Sequence, residues 1–360
     1  MLNYNDPDLV LTDTDISGAI QWQSPSNIAL IKYWGKHGVQ LPRNPSISFT
    51  LDSCFTQTIL QYEQKESPSD DISLDFYFMN EKNDTFGAKT KAFLDGIVDI
   101  YPFLKQLHFK INTANSFPHS TGIASSAAGM SALSLCLCSL EDKLFGSLSD
   151  GAAFDQKASY LSRLGSGSAC RSIYGHLAAW GKTADIEGSS DEYAVAYEGV
   201  HEVYKTFCDS ILIASSEEKS VSSRAGHALM EGNPFAAPRY AQANQRMSTL
   251  LGTLKNGDLE TFGRIVEDEA LTLHALMMAS DPSFILMKPN TLRMIELIRD
   301  YRARTKNPVY FTLDAGPNIH LLYPNDIAYE VQVFINEQMI PLCQDGNWIK
   351  DMVGEGPVEL

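Results

Sequence analysis

Apolar side chains surround the whole circumference of the helix predicted over residues 126–145, which read SAAGMSALSLCLCSLEDKLF. A helix without a polar face is buried rather than laid on a surface. Gly146 follows it, and glycine commonly ends a helix because it readily adopts the left-handed conformation. The pattern therefore predicts a central, buried helix.

Alternation of apolar and polar positions predicts half-buried strands over residues 71–78 and 107–111. An uninterrupted apolar run predicts a buried strand around residues 210–214. Helical periodicity covers residues 152–164, 236–279 and 291–304. Because strands and helices are mixed in both halves, the expected class is α+β.

A chain of 360 residues exceeds the size at which one hydrophobic core usually stops growing. We therefore expect two domains, residues 1–199 and 200–360. Residues 1 to about 20 are acidic and polar and are expected to form a loose arm or an edge element, with little function of their own.

Charge restricts the classes of partner. The chain has 28 Lys and Arg against 44 Asp and Glu, a formal net charge of −16. Such a balance argues against nucleic acid or an anionic membrane as the main partner. An anionic substrate would have to be captured by a few local cations.

The six cysteines match neither a zinc knuckle nor a CxxC redox pair, so free thiols in a reducing compartment are expected. The first 18 residues lack a signal-peptide pattern, and five serines interrupt the apolar run 123–140, which argues against a membrane span. We expect a cytoplasmic protein.

Residues 115–129, NSFPHSTGIASSAAG, form a loop of small residues that leads directly into the buried helix. The free N–H groups and the dipole of the first helical turn would face a bound phosphate. The loop lacks the Gly-Lys-Ser/Thr ending of the common P-loop. It is either a different nucleotide loop or an ordinary helix start.

Residues 27–36, NIALIKYWGK, form a strand-like run that ends in two lysines. Lys32 and Lys36 would supply the point charges that an oligophosphate needs. The alternative is that they are solvated surface lysines.

Residues 165–172, GSGSACRS, combine glycines that permit close backbone approach with hydroxyl groups. Arg171 provides a planar fork that matches a carboxylate. A flexible linker is the alternative, but the following Ile173 and Tyr174 indicate order.

Residues 309–318, VYFTLDAGPN, are an apolar strand that breaks at Asp314 and a Gly-Pro turn. In a poorly solvated cleft Asp314 could accept a proton from a substrate hydroxyl. It could also simply initiate the turn. The histidines show no metal-ligand spacing, so no metal site is assigned to them.

Together these segments resemble the GHMP kinase superfamily and, within it, the diphosphomevalonate decarboxylase family. The resemblance rests on NIAxxKYWGK at 27–36, on FPxxxGLASSAAG at 117–129 with Ile123 in place of Leu, on GSGSACRS at 165–172 and on DAGPN at 314–318. Residues 221–224, VSSR, resemble the segment of that family that meets the substrate phosphates.

The resemblance implies an N-terminal nucleotide-loop domain, a C-terminal ferredoxin-like domain, a cleft between them and usually a homodimer. It also implies conversion of mevalonate 5-diphosphate and ATP, with Mg²⁺, into isopentenyl diphosphate, CO₂, ADP and phosphate, in the mevalonate route of isoprenoid biosynthesis.

The family's functional residues map onto matching positions of this chain. The implied catalytic residues are Asp314, Lys32 and Arg171. The implied substrate-binding residues are Tyr33, Trp34, Gly35, Lys36, Ser166, Gly167, Ser168, Ala169, Cys170, Ser223 and Arg224. The implied nucleotide-binding residues are Asn115, Pro118, Gly122, Ala124, Ser125 and Ser126, with Ser125 also a Mg²⁺ ligand.

Two alternatives stay open. One is a related kinase or decarboxylase that acts on mevalonate or its monophosphate. The other is a non-catalytic nucleotide-binding relative, which should have lost Asp314, Lys32 or Arg171, and all three are present. The chain departs from relatives at residues 119–121, HST, where small residues are common.

Overall fold

The computed structural model describes residues 2–67, 69–118, 123–217 and 221–360. The strands are β1 Ser17–Ile31, β2 Lys36–His37, β3 Leu41–Pro42, β4 Ser46–Gln64, β5 Ser73–Phe78, β6 Glu81–Lys82, β7 Leu107–Asn115, β8 Leu177–Trp180, β9 Ala194–Ala196, β10 Cys208–Leu212, β11 Tyr310–Thr312, β12 Ile319–Tyr323, β13 Trp348–Met352 and β14 Val358–Glu359. The helices are α1 Asp84–Asp95, α2 Ser125–Phe145, α3 Gly151–Gly165, α4 Ser223–Ala228, α5 Ala236–Asn256, α6 Leu259–Met278, α7 Pro289–Thr305 and α8 Ala328–Phe334.

The larger sheet has the order β14-β1-β4-β7-β5-β6, and β8 joins it through β4 with β9 beyond. Its pairs are antiparallel except for β5 with β7. Helix α2 packs on β1 and β4. As predicted, α2 is a buried helix that ends at Gly146, which has a φ of 65° and donates its N–H to the carbonyl of Asp142.

The smaller sheet is antiparallel, with the order β11-β12-β10-β13. Helix α6 packs on β11 at Gly263, where an added Cβ would lie 1.9 Å from the ring of Tyr310. The absence of a side chain at that position therefore lets the helix approach the sheet. The α+β class predicted from the sequence is confirmed.

Two predicted segments differ in detail from the structure, and a third agrees with it. The strand-like run 27–36 leaves the sheet after Ile31. The periodic stretch 236–279 is two helices, because Gly257 adopts a φ of 72° and Asp258 caps α6 by accepting the N–H of Thr261. The segment Gly167–Ile173 is a buried 3₁₀ turn, which confirms the order expected there and excludes the alternative of a flexible linker.

The end of the chain returns to the larger sheet, where β14 pairs with β1 through Trp22 and Gln23. One hydrophobic core also joins residues of both halves, such as Phe49 and Phe262. The division into residues 1–199 and 200–360 stays a prediction.

In the described part of the chain no helix is long and apolar enough to cross a membrane. All six cysteines are free and buried, as expected. Residues 2–16, the described part of the N-terminal arm, form no helix or strand, yet Leu9 is buried in a core, so the arm is packed rather than loose.

Candidate active site

Lys32 and Asp314 form an ion pair where two distant segments meet. Lys32 follows β1 and Asp314 follows β11, and Lys32 Nζ donates to Asp314 Oδ1 at 2.8 Å. The side chain of Lys32 is 2% exposed, whereas that of Asp314 is 27% exposed. Burial lowers the pKa of Lys32, and the charge and hydrogen bond of Asp314 partly oppose that shift. A buried ammonium thus holds a carboxylate that is partly exposed.

The Gly-Pro turn fixes the backbone around Asp314. The N–H of Gly316 donates to the Asp314 carbonyl at 2.7 Å. Thr291 Oγ1 donates to the carbonyl of Pro317 at 2.6 Å, and Asn318 Oδ1 accepts the N–H of Ser215 at 3.0 Å. Asp314 therefore uses its backbone carbonyl in the turn and its side-chain carboxylate in the ion pair, so the two roles are compatible.

Arg171 is buried, with 2% of its surface exposed. Its guanidinium donates to Ser48 Oγ at 2.9 Å, Ser46 Oγ at 2.6 Å and Asn27 Oδ1 at 3.3 Å. Burial lowers the pKa of Arg171, while the nearby charge of Asp314 acts in the opposite direction. Arg171 and Asp314 thus share one electrostatic environment. Among the described residues these bonds use three of the five N–H groups of the guanidinium.

The segment carrying Arg171 also links to the start of α2. Ser126 Oγ and Ser166 Oγ are 3.4 Å apart, and the Ser168 carbonyl accepts Asn27 Nδ2 at 3.2 Å. Ala169 is fully buried and Gly167 lies against Tyr33 and Trp180.

The Cys170 thiol is buried and donates to the Gly167 carbonyl at 3.0 Å. Burial raises its pKa to about 12, so the thiol stays protonated at neutral pH. A protonated, buried thiol is unreactive, and the implied substrate-binding role of Cys170 stays a prediction.

The N-terminus of α2 lies next to residues that the structure does not describe. Ala124 precedes the helix with a φ of 47°, and among the described residues no side chain caps it. The first N–H groups of a helix have no intrahelical acceptor, so those at Ser125 and Ser126 suit an anion. Pro118 is exposed and Asn115 Oδ1 accepts from Thr56 Oγ1 at 2.8 Å. Gly122 and residues 119–121 lie outside the described residues.

Three aromatic rings, those of Tyr33, Trp34 and His227, pack together in tilted pairs. The His227 ring lies 4.3 Å from that of Tyr33 and 4.5 Å from that of Trp34, between centroids. His227 Nδ1 accepts the N–H of Gly35 at 3.0 Å. Burial, helped by the charge of Lys36, lowers the pKa of His227 to about 3, so the ring is neutral. The buried Tyr33 hydroxyl has no hydrogen-bond partner within the described chain.

Two cations, Lys36 and Arg224, interact electrostatically. Burial lowers the pKa of Lys36, and the charge of Arg224 adds to the shift, although Lys36 Nζ donates to Gln40 Oε1 at 2.7 Å. Ser223 and Arg224 are exposed at the start of α4. Like charges close together are unfavourable, so an anion between them would be stabilised.

The predicted Mg²⁺ ligand, Ser125, is half-buried in the first turn of α2. Over the described ranges no cluster of three His, Cys, Asp or Glu residues could hold a metal ion. The Ser125 hydroxyl is the kind of oxygen ligand that Mg²⁺ would accept alongside the oxygens of bound phosphates.

Sequence reasoning missed Glu269 and Arg239. Glu269 is fully buried on α6, and Arg239 on α5 holds its carboxylate at 2.7 and 2.6 Å. Burial favours a higher pKa for Glu269, but the hydrogen bonds and charge of Arg239 outweigh it and lower the pKa. The available signal in the sequence was the position of Glu269, which falls on the apolar face of α6.

Two family models match the chain. The diphosphomevalonate decarboxylase-like N-terminal domain matches residues 24–194, and the mevalonate 5-diphosphate decarboxylase C-terminal domain matches residues 210–355.

Curated relatives and solved structures agree with these models. A diphosphomevalonate decarboxylase of Eremothecium gossypii is 30% identical over 318 residues, which are 83% of this chain and 76% of that protein. A mevalonate diphosphate decarboxylase structure from Staphylococcus aureus has a TM-score of 0.81 at 26% identity and covers 96% of this chain and 98% of its own. A structure described as MDDEF in complex with MVAPP, AMPPCP and magnesium has a TM-score of 0.80 at 28% identity, with 96% and 99% covered.

Proposed function

The chain belongs to the diphosphomevalonate decarboxylase family, and from this premise we propose how its residues carry out the family's reaction. It is an enzyme that decarboxylates mevalonate 5-diphosphate to isopentenyl diphosphate at the expense of ATP, in the mevalonate route of isoprenoid biosynthesis. The observation that carries the assignment is the Lys32–Asp314 pair, formed in the same environment as Arg171.

The chemical obstacle is a tertiary hydroxyl, which is a poor leaving group. The oxygen of the 3-hydroxyl attacks the γ-phosphorus of ATP, and ADP leaves. Asp314 accepts the proton that this hydroxyl loses. Lys32 holds the Asp314 carboxylate in place and offers positive charge to the transferring phosphoryl group. The partial exposure of Asp314 and the burial of Lys32 support this division of roles.

The phosphorylated oxygen then leaves as phosphate, and positive charge develops at the tertiary carbon. Loss of CO₂ supplies the electron pair that forms the double bond of isopentenyl diphosphate. Arg171 would grip the carboxylate with its remaining N–H groups, with Ser166 and Ser168 nearby. The neutral His227 and the stacked Tyr33 shape the apolar side of the cleft.

Lys36, Ser223 and Arg224 would hold the diphosphate of the substrate, and the mutual proximity of the two cations supports this role. The first turn of α2, with Ser125 and Ser126, would receive the phosphates of ATP. Mg²⁺, with Ser125 as its protein ligand, would neutralise phosphate charge. The relative's complex with MVAPP, AMPPCP and magnesium supports these ligands for this chain.

A substrate panel tests the function. Mevalonate, its 5-phosphate and its 5-diphosphate are each supplied with ATP and Mg²⁺, and ADP and CO₂ are measured separately. We expect equal amounts of ADP and CO₂ from the diphosphate alone. ADP without CO₂ would indicate a kinase, CO₂ from the monophosphate would indicate a different decarboxylase, and neither product would indicate a non-catalytic relative.

We also propose a cytoplasmic homodimer. Six free, buried thiols suit a reducing compartment, and the dimer follows from the family resemblance. Sedimentation at several concentrations tests the assembly, and cell fractionation tests the location.

A further inference from the structure

Helix α6 contacts the backbone on both sides of the Lys32–Asp314 pair. We propose that Glu269 and His274, both on α6, are positioning residues that set the separation of Lys32 and Asp314 through main-chain hydrogen bonds. The proposal rests on the proposed function of that pair.

Glu269 holds the backbone of Lys32. Its Oε2 accepts the Lys32 N–H at 2.9 Å, across 237 positions of sequence. Lys32 is the first residue beyond β1, so the pairing of the sheet no longer holds its backbone. Glu269 therefore replaces the strand partner that Lys32 lacks.

Two arginines hold Glu269 in turn. Arg239 binds both carboxylate oxygens and also donates to the Lys32 carbonyl at 3.3 Å. Arg246 donates to Glu269 Oε1 at 2.9 Å. Both the N–H and the carbonyl of Lys32 are thus bound by one buried network, and bidentate pairs of this kind have little angular freedom.

His274 fixes Asp314. Its Nε2 lies 3.1 Å from the Asp314 carbonyl oxygen, and the side chain is 2% exposed. A carbonyl only accepts, so Nε2 carries the proton and donates. Together with the Gly316 N–H, this bond holds the peptide from which the Asp314 side chain projects.

A single helix, α6, therefore positions the backbone of both Lys32 and Asp314. Glu269 and His274 are five residues apart, about 7.5 Å along the axis of a rigid helix. Because misplacement of reacting groups by about 1 Å can cost about 10²-fold in rate, a fixed spacing of this kind matters for turnover. We expect substrate binding through Lys36 and Arg224 to be independent of the spacing between Lys32 and Asp314.

The test compares His274→Leu, which removes the donor, with His274→Gln, whose amide nitrogen replaces Nε2. We expect His274→Leu to lower kcat about 10- to 100-fold while the KM values for ATP and mevalonate 5-diphosphate change less than about threefold. His274→Gln should recover most of that loss. Glu269→Gln, which weakens the Arg239 contact, should also lower kcat more than it changes KM.

Matched controls separate positioning from general loss of a buried polar contact. His320 is equally buried and bonds Asp209 at 2.7 Å, so His320→Leu is the control for His274→Leu. Glu141 forms a buried pair with Lys157 at 2.7 Å, so Glu141→Gln is the control for Glu269→Gln. Both controls should lower the melting temperature yet keep kcat within about threefold.

Equal kcat in His274→Leu and His274→Gln, or losses no larger than those of the controls, would overturn the proposal. Should Glu269→Gln fail to fold, the His274 series decides alone. Crystal structures of the His274 variants report the Lys32 Nζ to Asp314 Oδ1 distance without any turnover. They therefore test the positioning even if the unmodified enzyme released no CO₂, which would count against the proposed function instead.

Discussion

At the scale of single residues, the same side-chain type takes different roles according to its surroundings. Lys32 is buried and paired with a carboxylate, whereas Lys36 lies near another cation, Arg224. The first arrangement suits a group that acts during the reaction, and the second suits static binding of an anion. Substitutions at the two places should therefore affect different kinetic constants.

Arg224→Gln should raise the KM for mevalonate 5-diphosphate about tenfold and leave kcat nearly unchanged, because the diphosphate binds similarly in the ground and transition states. Initial-rate kinetics at saturating ATP measure both constants. Arg304→Gln, an exposed arginine at the end of α7, is the control and should change neither. A fall in kcat at unchanged KM would contradict the binding role of Arg224.

His227 should make the fold sensitive to mild acid. Its pKa is about 3 in the folded chain against 6.5 for an ordinary histidine. Between these values only the unfolded chain takes up the proton, so stability falls as pH falls below 6.5. From pH 7 to pH 5 the loss from this group is about 2 kcal/mol.

Urea unfolding of the parent and of His227→Asn at pH 7 and pH 5 measures this contribution. Asn retains an acceptor for the Gly35 N–H but does not titrate. The variant should lose about 2 kcal/mol less than the parent over that interval. Equal losses would show that His227 is not held neutral by the fold.

At the scale of elements, the sequence predicts the types of strands and helices well and their ends less well. The helix over 126–145 and the strands near 73 and 107 follow directly from hydrophobic periodicity. The run 27–36 reads as one strand because Tyr33 and Trp34 are apolar, but these rings pack against His227 instead of continuing the sheet. Periodicity cannot distinguish these two uses of an aromatic side chain.

Helix packing predicts opposite effects for two glycines. Gly263→Ala in α6 places a methyl group against the Tyr310 ring and should cost about 1–3 kcal/mol of stability, despite a helix-propensity gain of up to about 1 kcal/mol. Gly252→Ala in α5 meets no atom within 4 Å and should stabilise the fold by about 0.5–1 kcal/mol. Denaturant unfolding of both variants tests the pair, and stabilisation by Gly263→Ala would refute the packing argument.

At the scale of the whole molecule, the site depends on contacts between remote parts of the chain. Lys32 and Asp314 are 282 positions apart, and no local pattern predicts that they meet. The resemblance to a family predicted their roles, but not Glu269, Arg239 or His274, because those residues act through backbone groups of their neighbours. The charge of −16 predicts that a few local cations capture the anionic substrate, and that expectation stays a prediction.

The pairing of β14 with the larger sheet also depends on contacts between remote parts of the chain. Two residues pair with β1, and a strand of that length carries no periodic signal of its own. The predicted division at residue 200 remains to be tested, and limited proteolysis followed by mass spectrometry of the fragments is a direct test. Cleavage concentrated near residue 200 is expected.

The central claim is that Asp314, held by Lys32, takes the proton of the 3-hydroxyl. The most direct measurement is a single-turnover assay of Asp314→Asn with ATP and mevalonate 5-diphosphate, in which ADP and CO₂ are both followed. The isosteric amide should leave ATP binding intact, and both products should form at least about 10²-fold more slowly. ADP and CO₂ release at more than about a tenth of the parental rate would contradict the claim.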